Sequence, residues 1–284
     1  MDDRRHGAPP EDAHRGDAPH RRGRARAAAA RRRRGVSFHD HFSAVAAQYA
    51  NARPEYPAAL FEWIAAESAA RGRVWEAGCG SGQASRDLAR HFDAVYATDP
   101  SAAQIAQAAA PANVSFAVEP GERCGLADAS VDAVCVAQAL HWFDRDAFFA
   151  ESERVLKPGG LLVVWGYQDI VVPDALAAVN DAFQDDIRDY WPPERALIDA
   201  AYAGFDWPFA PVATPVLELE ADWPLARMLG YFSSYSATKR YREARGADPV
   251  AAYADAFAAA WGDADATQRL HWPLFVHARR KPAG

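Results

Sequence analysis

Within the stretch RVWEAGCGSGQASRDLA, an acidic residue and three alternating glycines fall inside seven positions: Glu76, Gly78, Gly80 and Gly82. Glycines at a strand-to-helix turn let backbone come close to a ligand. The chemistry next to them decides which ligand. A phosphate loop ends in Gly-Lys-Ser/Thr, whereas Gly82 is followed by Gln83 and Ala84, so that reading fails. A dinucleotide loop spaced G-x-G-x-x-G would place its third glycine at position 83, and here it comes one residue early. Glu76 adds a charge argument, because a carboxylate two residues before the loop repels a pyrophosphate and welcomes a cation or an amino group.

That combination suits S-adenosylmethionine, which presents an ammonium, a carboxylate and a sulfonium; the helix start near Gly82 can face the ligand carboxylate. Asp99, at the end of the next apolar run (AVYATD), stands where an acid accepts both ribose hydroxyls. This spacing serves a nicotinamide dinucleotide equally well, so an NAD(P)-dependent oxidoreductase stays open on these residues alone.

Elements must hold these groups at one edge. Residues 73–77, 94–98, 113–118 and 131–137 read as strands, with helices expected over 82–91, 101–109 and 145–156. KPGG reads as a sharp turn before the buried strand LLVVW. Strands alternating with helices of this length specify a parallel sheet wound on both faces, so the fold class is α/β, doubly wound and Rossmann-like. Beyond Trp165 the pattern loosens. Helices are expected over 174–190, 224–235 and 249–261, an alternating strand over TPVLELEADWP and a final strand over QRLHWPLFVHARR. This strand pair is expected to form an antiparallel edge on the same sheet. The domain layout that follows is a cofactor-binding half over 36–166, a small helical and aromatic cap over 167–213, and edge elements over 214–284.

The net charge of −7 is unevenly spread: residues 1–35 hold eleven arginines against five acids, a balance of +6 that leaves −13 for the rest. So acidic a body is a poor surface for nucleic-acid phosphate. The tail, dominated by Arg, Pro and Gly, reads as disordered and carries no secretory signal. No apolar run is long enough for a membrane span. Three scattered cysteines make neither a disulfide framework nor a metal site, which fits a reducing cytoplasm.

Two downstream stretches, VAQALHWFD (136–144) and ERVLKPGGLLVVWGY (153–167), resemble those of class I S-adenosylmethionine-dependent methyltransferases. The small-molecule group that includes trans-aconitate methyltransferases is the nearest likeness, and HFSAVAAQYANARPEYP and SYSATKRY share it. The likeness spans about residues 38–280. It implies S-adenosylmethionine as cofactor and a small-molecule methyl acceptor, with O-methylation, possible at a carboxylate, as the first reading. A non-catalytic S-adenosylmethionine-binding protein is the rival of a different class. The resemblance carries Glu76, Gly78, Gly80 and Gly82 to the methionine side and Asp99 to the ribose. It carries Gly121 and Glu122 to the adenine, with Gly121 standing where the family usually has Ala. Gln138 ends strand four beside the expected methyl group, and Tyr49 and Arg53 match residues that close over the cofactor.

The acceptor side is less specified. A carboxylate needs no base to accept a methyl group, whereas a phenol, amine or carbon acid wants one. His141, just past strand four, is the candidate base; equally, HWFD is a packing element in which Trp142 and Phe143 anchor the turn and His141 bonds backbone. His271 and His277 read as structural. Trp165 and Tyr167, at the end of strand five, and Tyr231 and Tyr235, four apart on one helix face, are the candidate pocket residues. If the basic tail plays no part in the site, deleting residues 1–35 leaves cofactor affinity by calorimetry unchanged; a lost or sharply weakened isotherm contradicts that.

Overall fold

The computed structural model describes residues 53–109 and 111–284. The expected tail over 1–35 and Tyr49 lie outside the described residues. Helix α1 (Ala58–Glu67) precedes strand β1 (Arg73–Ala77), helix α2 (Gln83–Leu88), strand β2 (Ala94–Asp99), the short helix α3 (Ala102–Ile105) and strand β3 (Val114–Val118). Then follow β4 (Val131–Ala137), α4 (Arg145–Val155) and β5 (Leu156–Tyr167). The second half contributes α5 (Asp174–Ile187), α6 (Arg195–Asp199), β6 (Ala210–Val212) and β7 (Leu219–Trp223). It closes with α7 (Leu225–Ser233), α8 (Ser236–Arg245), α9 (Pro249–Trp261), β8 (Gln268–Trp272) and β9 (Leu274–Arg280).

Seven strands form one sheet in the order β3-β2-β1-β4-β5-β9-β6. The first five are parallel, and β9 runs antiparallel between β5 and β6. The doubly wound α/β expectation therefore holds, antiparallel edge included. Strand β4 is buried at its first six positions because helices cover both faces, which is why VDAVCVA carries no polar alternation. Strand order reverses at β1, which pairs β2 on one side and β4 on the other, so a crevice opens at the carboxyl ends of β1 and β4. The glycine loop and the residues after Ala137 lie at that crevice.

Three departures from the sequence reading have physical causes. KPGG is not a turn between elements. The strand pairing jumps from Val131↔Leu156 to Ala133↔Leu161, so KPGG bulges out of a continuous β5. The final strand is split at Pro273, which has no amide hydrogen for a ladder. As a result β8 pairs with β7 in a separate two-stranded sheet and only β9 joins the main one. The expected edge strand of TPVLELEADWP thus belongs to the second sheet, and its place on the main sheet is taken by β6. Helix α8 had no counterpart in the reading, since its sequence SATKRYREAR has too few apolar residues to show a helical face. The second core draws on residues from Tyr167 to Trp272, including Phe183, Trp223, Phe232, Phe257 and Trp272, well beyond a 167–213 insert.

Gly82 opens α2 at φ +81°, and a Cβ there would sit 2.7 Å from the Phe116 ring. Gly204, at φ +80°, has nothing within 4 Å. Both alanine variants pay the left-handed backbone penalty of about 1–2 kcal/mol, and Gly82→Ala adds an overpacking cost of about 1–3 kcal/mol. Urea denaturation is expected to rank Gly82→Ala below Gly204→Ala; equal stabilities would contradict the close approach of Phe116.

Candidate functional site

The loop after β1 is tied to the end of β2. The amides of Gly78 and Cys79 both donate to the Thr98 carbonyl, at 2.8 and 2.9 Å. The Gly80 amide donates to one oxygen of Asp99 at 2.9 Å and the Ser101 amide to the other at 2.8 Å. Each carboxylate oxygen keeps a lone pair, so Asp99 can still accept two hydroxyls while pinning the loop. Gly80 is the glycine with open space on its side-chain face, whereas Gly78 is closed in by Ala139 and Phe143. At Gly80 the backbone at φ +56° favours glycine and the space beside it is open, whereas at Gly78 and Gly82 close packing also demands it.

Beneath the loop, Glu76 is buried to 1 % exposure. Its Oε2 accepts from the Ser85 hydroxyl, and Oε1 has no protein partner among the described residues. Burial pushes its pKa from 4.5 up to about 8; the Ser85 bond opposes this, and Asp87 and Asp99 add to it. A buried carboxylate with one oxygen free of described partners can receive a cation or an ammonium.

Phe143 builds the opposite wall. A Cβ on Gly121 would meet its ring at 2.7 Å and one on Gly78 at 2.9 Å, so Phe143 requires glycine at both positions. An alanine at 121 has no room against this ring. Glu122 accepts from the Asp144 amide at 2.8 Å, clamping the turn that presents Phe143 to the start of α4. The anchoring reading of Phe143 holds, whereas Trp142 is 57 % exposed, with its ring 4.7 Å from that of His141. Arg154, of the motif ERVLKPGG, reaches the carbonyls of Leu126 and Cys124 and the carboxylates of Glu151 and Asp128. It thereby holds the loop that follows Gly121, and its guanidinium keeps Glu151 down at about 2.

At the end of β4, Gln138 adopts φ +52°, a rare conformation for a side-chain-bearing residue. Its amide group accepts from the Tyr167 amide at 2.7 Å and donates to the Tyr167 carbonyl at 3.0 Å. The side chain stitches β4 to β5 and is committed to that role. Three residues on, His141 Nδ1 lies 2.9 Å from the Tyr202 hydroxyl. Burial holds its pKa down at about 4, with Glu194 opposing and Arg195 and Arg53 adding to the depression.

A cavity of about 480 Å3 opens beside these residues, lined by Gln138, His141, Tyr167, Tyr231 and Tyr235 among others. Trp165 does not line it. Its ring packs edge-on against Tyr56 and Phe61, at 5.7 and 6.0 Å, because it lies on the face of β5 beneath α1. Among the described residues four cationic side chains line the cavity, Arg53, Arg195, Lys239 and Arg242, with one acid, Asp169. Arg195 is held by Asp199 at 2.6 Å and Asp169 at 3.2 Å and lies 4.2 Å over the Trp191 ring. Arg242 is paired with Asp248 at 2.9 Å. Arg53 is solvent-exposed in the ligand-free chain and has no acidic partner among the described residues; its pKa is raised chiefly by Tyr167, with Tyr231 and Tyr56 adding to the rise. Sequence reasoning put Tyr167, Tyr231 and Tyr235 at the acceptor pocket but Arg53 with the cofactor, whereas Arg53 lines the cavity beside these tyrosines; it gave no site role to Arg195 or Tyr202, whose contacts cross 26 and 61 residues of chain.

The methyltransferase domain family matches residues 75–164, the span from β1 into β5. A Dictyostelium discoideum protein named as a methyltransferase is 30 % identical over 254 residues, covering 87 % of this chain and 97 % of that one. A solved structure assigned as a type II methyltransferase from Anaeromyxobacter dehalogenans is 43 % identical, with a TM-score of 0.76 over 81 % of this chain and 99 % of the other. An uncharacterized methyltransferase of Mycobacterium tuberculosis is 39 % identical over 131 residues, about half its own length at 53 %. With this sheet order and these relatives, the chain belongs to the class I S-adenosylmethionine-dependent methyltransferases. The nicotinamide alternative is thereby set aside.

The folded pKa of Glu76 lies above its ordinary value, so the ligand-free chain retains that proton between about 4.5 and about 8 and loses stability as pH rises across the window. Glu76→Gln removes this loss. By thermal melting, the ligand-free variant is expected to exceed the wild type at about pH 8, with a gap that narrows towards about pH 5. A gap that does not change with pH contradicts the assignment.

Proposed function

We propose that the chain transfers a methyl group to a carboxylate oxygen of a small organic anion. The observation that carries this reading is the charge of the cavity: four cations against one acid, in a body that is otherwise strongly acidic. Of the four, Arg53 is the cation not neutralised by an acid among the described residues, and it stands among tyrosines that can add hydrogen bonds. A guanidinium flanked by phenols binds and orients a carboxylate.

The residues around the glycine loop fit the cofactor that the family implies. Glu76 would take the ammonium, Asp99 the ribose hydroxyls, and the open face of Gly80 would admit the ligand beside the backbone. Gly121 and Glu122 would border the adenine across Phe143, and Gln138 would fix the end of β4 through its bonds to Tyr167. When bound, S-adenosylmethionine supplies a methyl group on a sulfonium that is already activated. The protein's part is then alignment and exclusion of water. A carboxylate acceptor carries no proton to remove, so the site needs no base; His141, held neutral with a pKa of about 4, is a poor proton acceptor at neutral pH.

Incubation with methyl-labelled cofactor and a panel of carboxylates, phenols and amines tests the reading, with trans-aconitate as the first carboxylate to try. The expected product is an ester that releases methanol in alkali. Label found only in phenol or amine products contradicts the carboxylate assignment, and binding without transfer to any of them favours the non-catalytic rival. Arg53→Ala is expected to raise the acceptor KM about ten- to a hundredfold, the worth of a charged hydrogen bond, with cofactor affinity retained. Asp99→Ala is expected to do the reverse, and an unchanged cofactor affinity in that variant removes the ribose assignment.

A further inference from the structure

His141 and Tyr202 form a pair that the reaction as described leaves without a role. The Tyr202 side chain is fully buried, and its hydroxyl has one hydrogen-bond partner among the described residues, His141 Nδ1 at 2.9 Å. The placement is costly to maintain. Ala201 and Tyr202 are consecutive non-glycine residues at φ +48° and +56°, and such backbone persists only when its surroundings over-determine it. Here they do: the Ala201 carbonyl accepts from His277 Nε2 at 2.8 Å, and Trp207 stacks on the His277 ring at 4.8 Å. The Tyr202 ring stacks on Phe205 at 4.9 Å and meets Phe275 edge-on at 5.1 Å. A segment held from both sides thus delivers one phenol to one imidazole nitrogen.

If the phenol accepted from Nδ1–H, its own buried proton would have no acceptor among the described residues, so it donates to Nδ1. Nδ1 therefore carries the lone pair, and the proton of the neutral ring sits on Nε2. His141 lines the cavity, and Nε2 has no protein partner among the described residues. We infer that Tyr202 is a positioning residue that locks His141 in the Nε2–H tautomer, so that the ring presents a hydrogen-bond donor, not a base, to the methyl acceptor. The tautomer stands on the geometry alone; its role towards an anionic acceptor rests on the reaction proposed above. The charged groups acting on the ring are Glu194, Arg195 and Arg53, and with burial they leave it neutral. Tyr202 is itself held protonated by burial. A neutral donor of this kind steadies a carboxylate while leaving the nucleophilic lone pair on its other oxygen unprotonated.

Long-range proton–nitrogen correlation on the full chain carrying nitrogen-15 histidine reads the tautomer without substrate or cofactor, with the His141 signal assigned by its loss in His141→Gln. The expected result is the Nε2–H form, unchanged from about pH 5.5 to about pH 8. Tyr202→Phe is expected to mix the tautomers and raise the ring's titration, since a donor to the neutral form disfavours the charged one. An Nδ1–H ring in the wild type overturns the inference and needs no variant to fold. The acceptor role is read by kinetics: His141→Gln keeps an N–H donor but cannot act as a base. It should hold the acceptor KM within about tenfold of wild type, while His141→Ala raises it by about ten- to a hundredfold. A folded His141→Gln as impaired as His141→Ala overturns that role. Failure of every carboxylate in the panel, with the Nε2–H signal intact, overturns the proposed reaction and leaves the tautomer standing.

Discussion

A carboxylate buried at the end of β1 with no compensating charge among the described residues is the constraint around which the rest of the site is arranged. Among the described residues Glu76 has one hydroxyl partner, and the charges that act on it, Asp87 and Asp99, are of its own sign. A fold selected for stability alone would place an apolar residue here, because burying an unpaired acid is destabilising whenever it ionises. On the proposed reading Glu76 is half of an ion pair whose other half is the ammonium of the cofactor. The surrounding features serve that socket. The sheet reverses its order at β1, the loop above is pinned to Thr98 and Asp99 by three backbone amides, and Phe143 closes the far wall against Gly78 and Gly121.

The two halves of the site differ in charge for the same physical reason. Where the methyl donor would lie the groups are acidic, Glu76 and Asp99, and in the cavity beyond Gln138 they are mainly basic. A cationic donor and an anionic acceptor would each meet its complement. The division falls at Gln138 and His141, at the exit of β4. Gln138 fixes the geometry by bonding Tyr167, and the Tyr202 phenol sets which nitrogen of His141 is protonated.

The parallel sheet was legible because its strands are buried on both faces and bounded by glycine and charged turns; β4 matches its expected range residue for residue. The loop chemistry was legible for a similar reason, since Glu76, the glycines and Asp99 are local to one strand–turn–helix unit and its neighbour. What failed depends on contacts distant in sequence. Nothing in VVWGY says that Trp165 faces α1 while Tyr167 faces the cavity, because both sit at odd positions and the difference is made by which element covers each. Pro273 splits what reads as one strand between two sheets, and only the partners β5 and β7 reveal it. Tyr202 lies within the 167–213 cap range with nothing local to single it out, and its bond to His141 spans 61 residues. Arg195 showed no signal beyond a charge on a short helix.

Proton release on cofactor binding tests the central claim most directly, since it reports on Glu76 in the intact chain. With a pKa of about 8 in the ligand-free protein, Glu76 holds its proton at neutral pH, and an arriving ammonium forces it off. Calorimetric titration with the demethylated product, S-adenosylhomocysteine, which keeps the amino acid moiety, can be run at about pH 7 in buffers of different ionisation enthalpy. The account predicts that close to one proton is released per molecule bound, and that the release vanishes in Glu76→Gln. A binding enthalpy independent of the buffer, or a net uptake of protons, would contradict it.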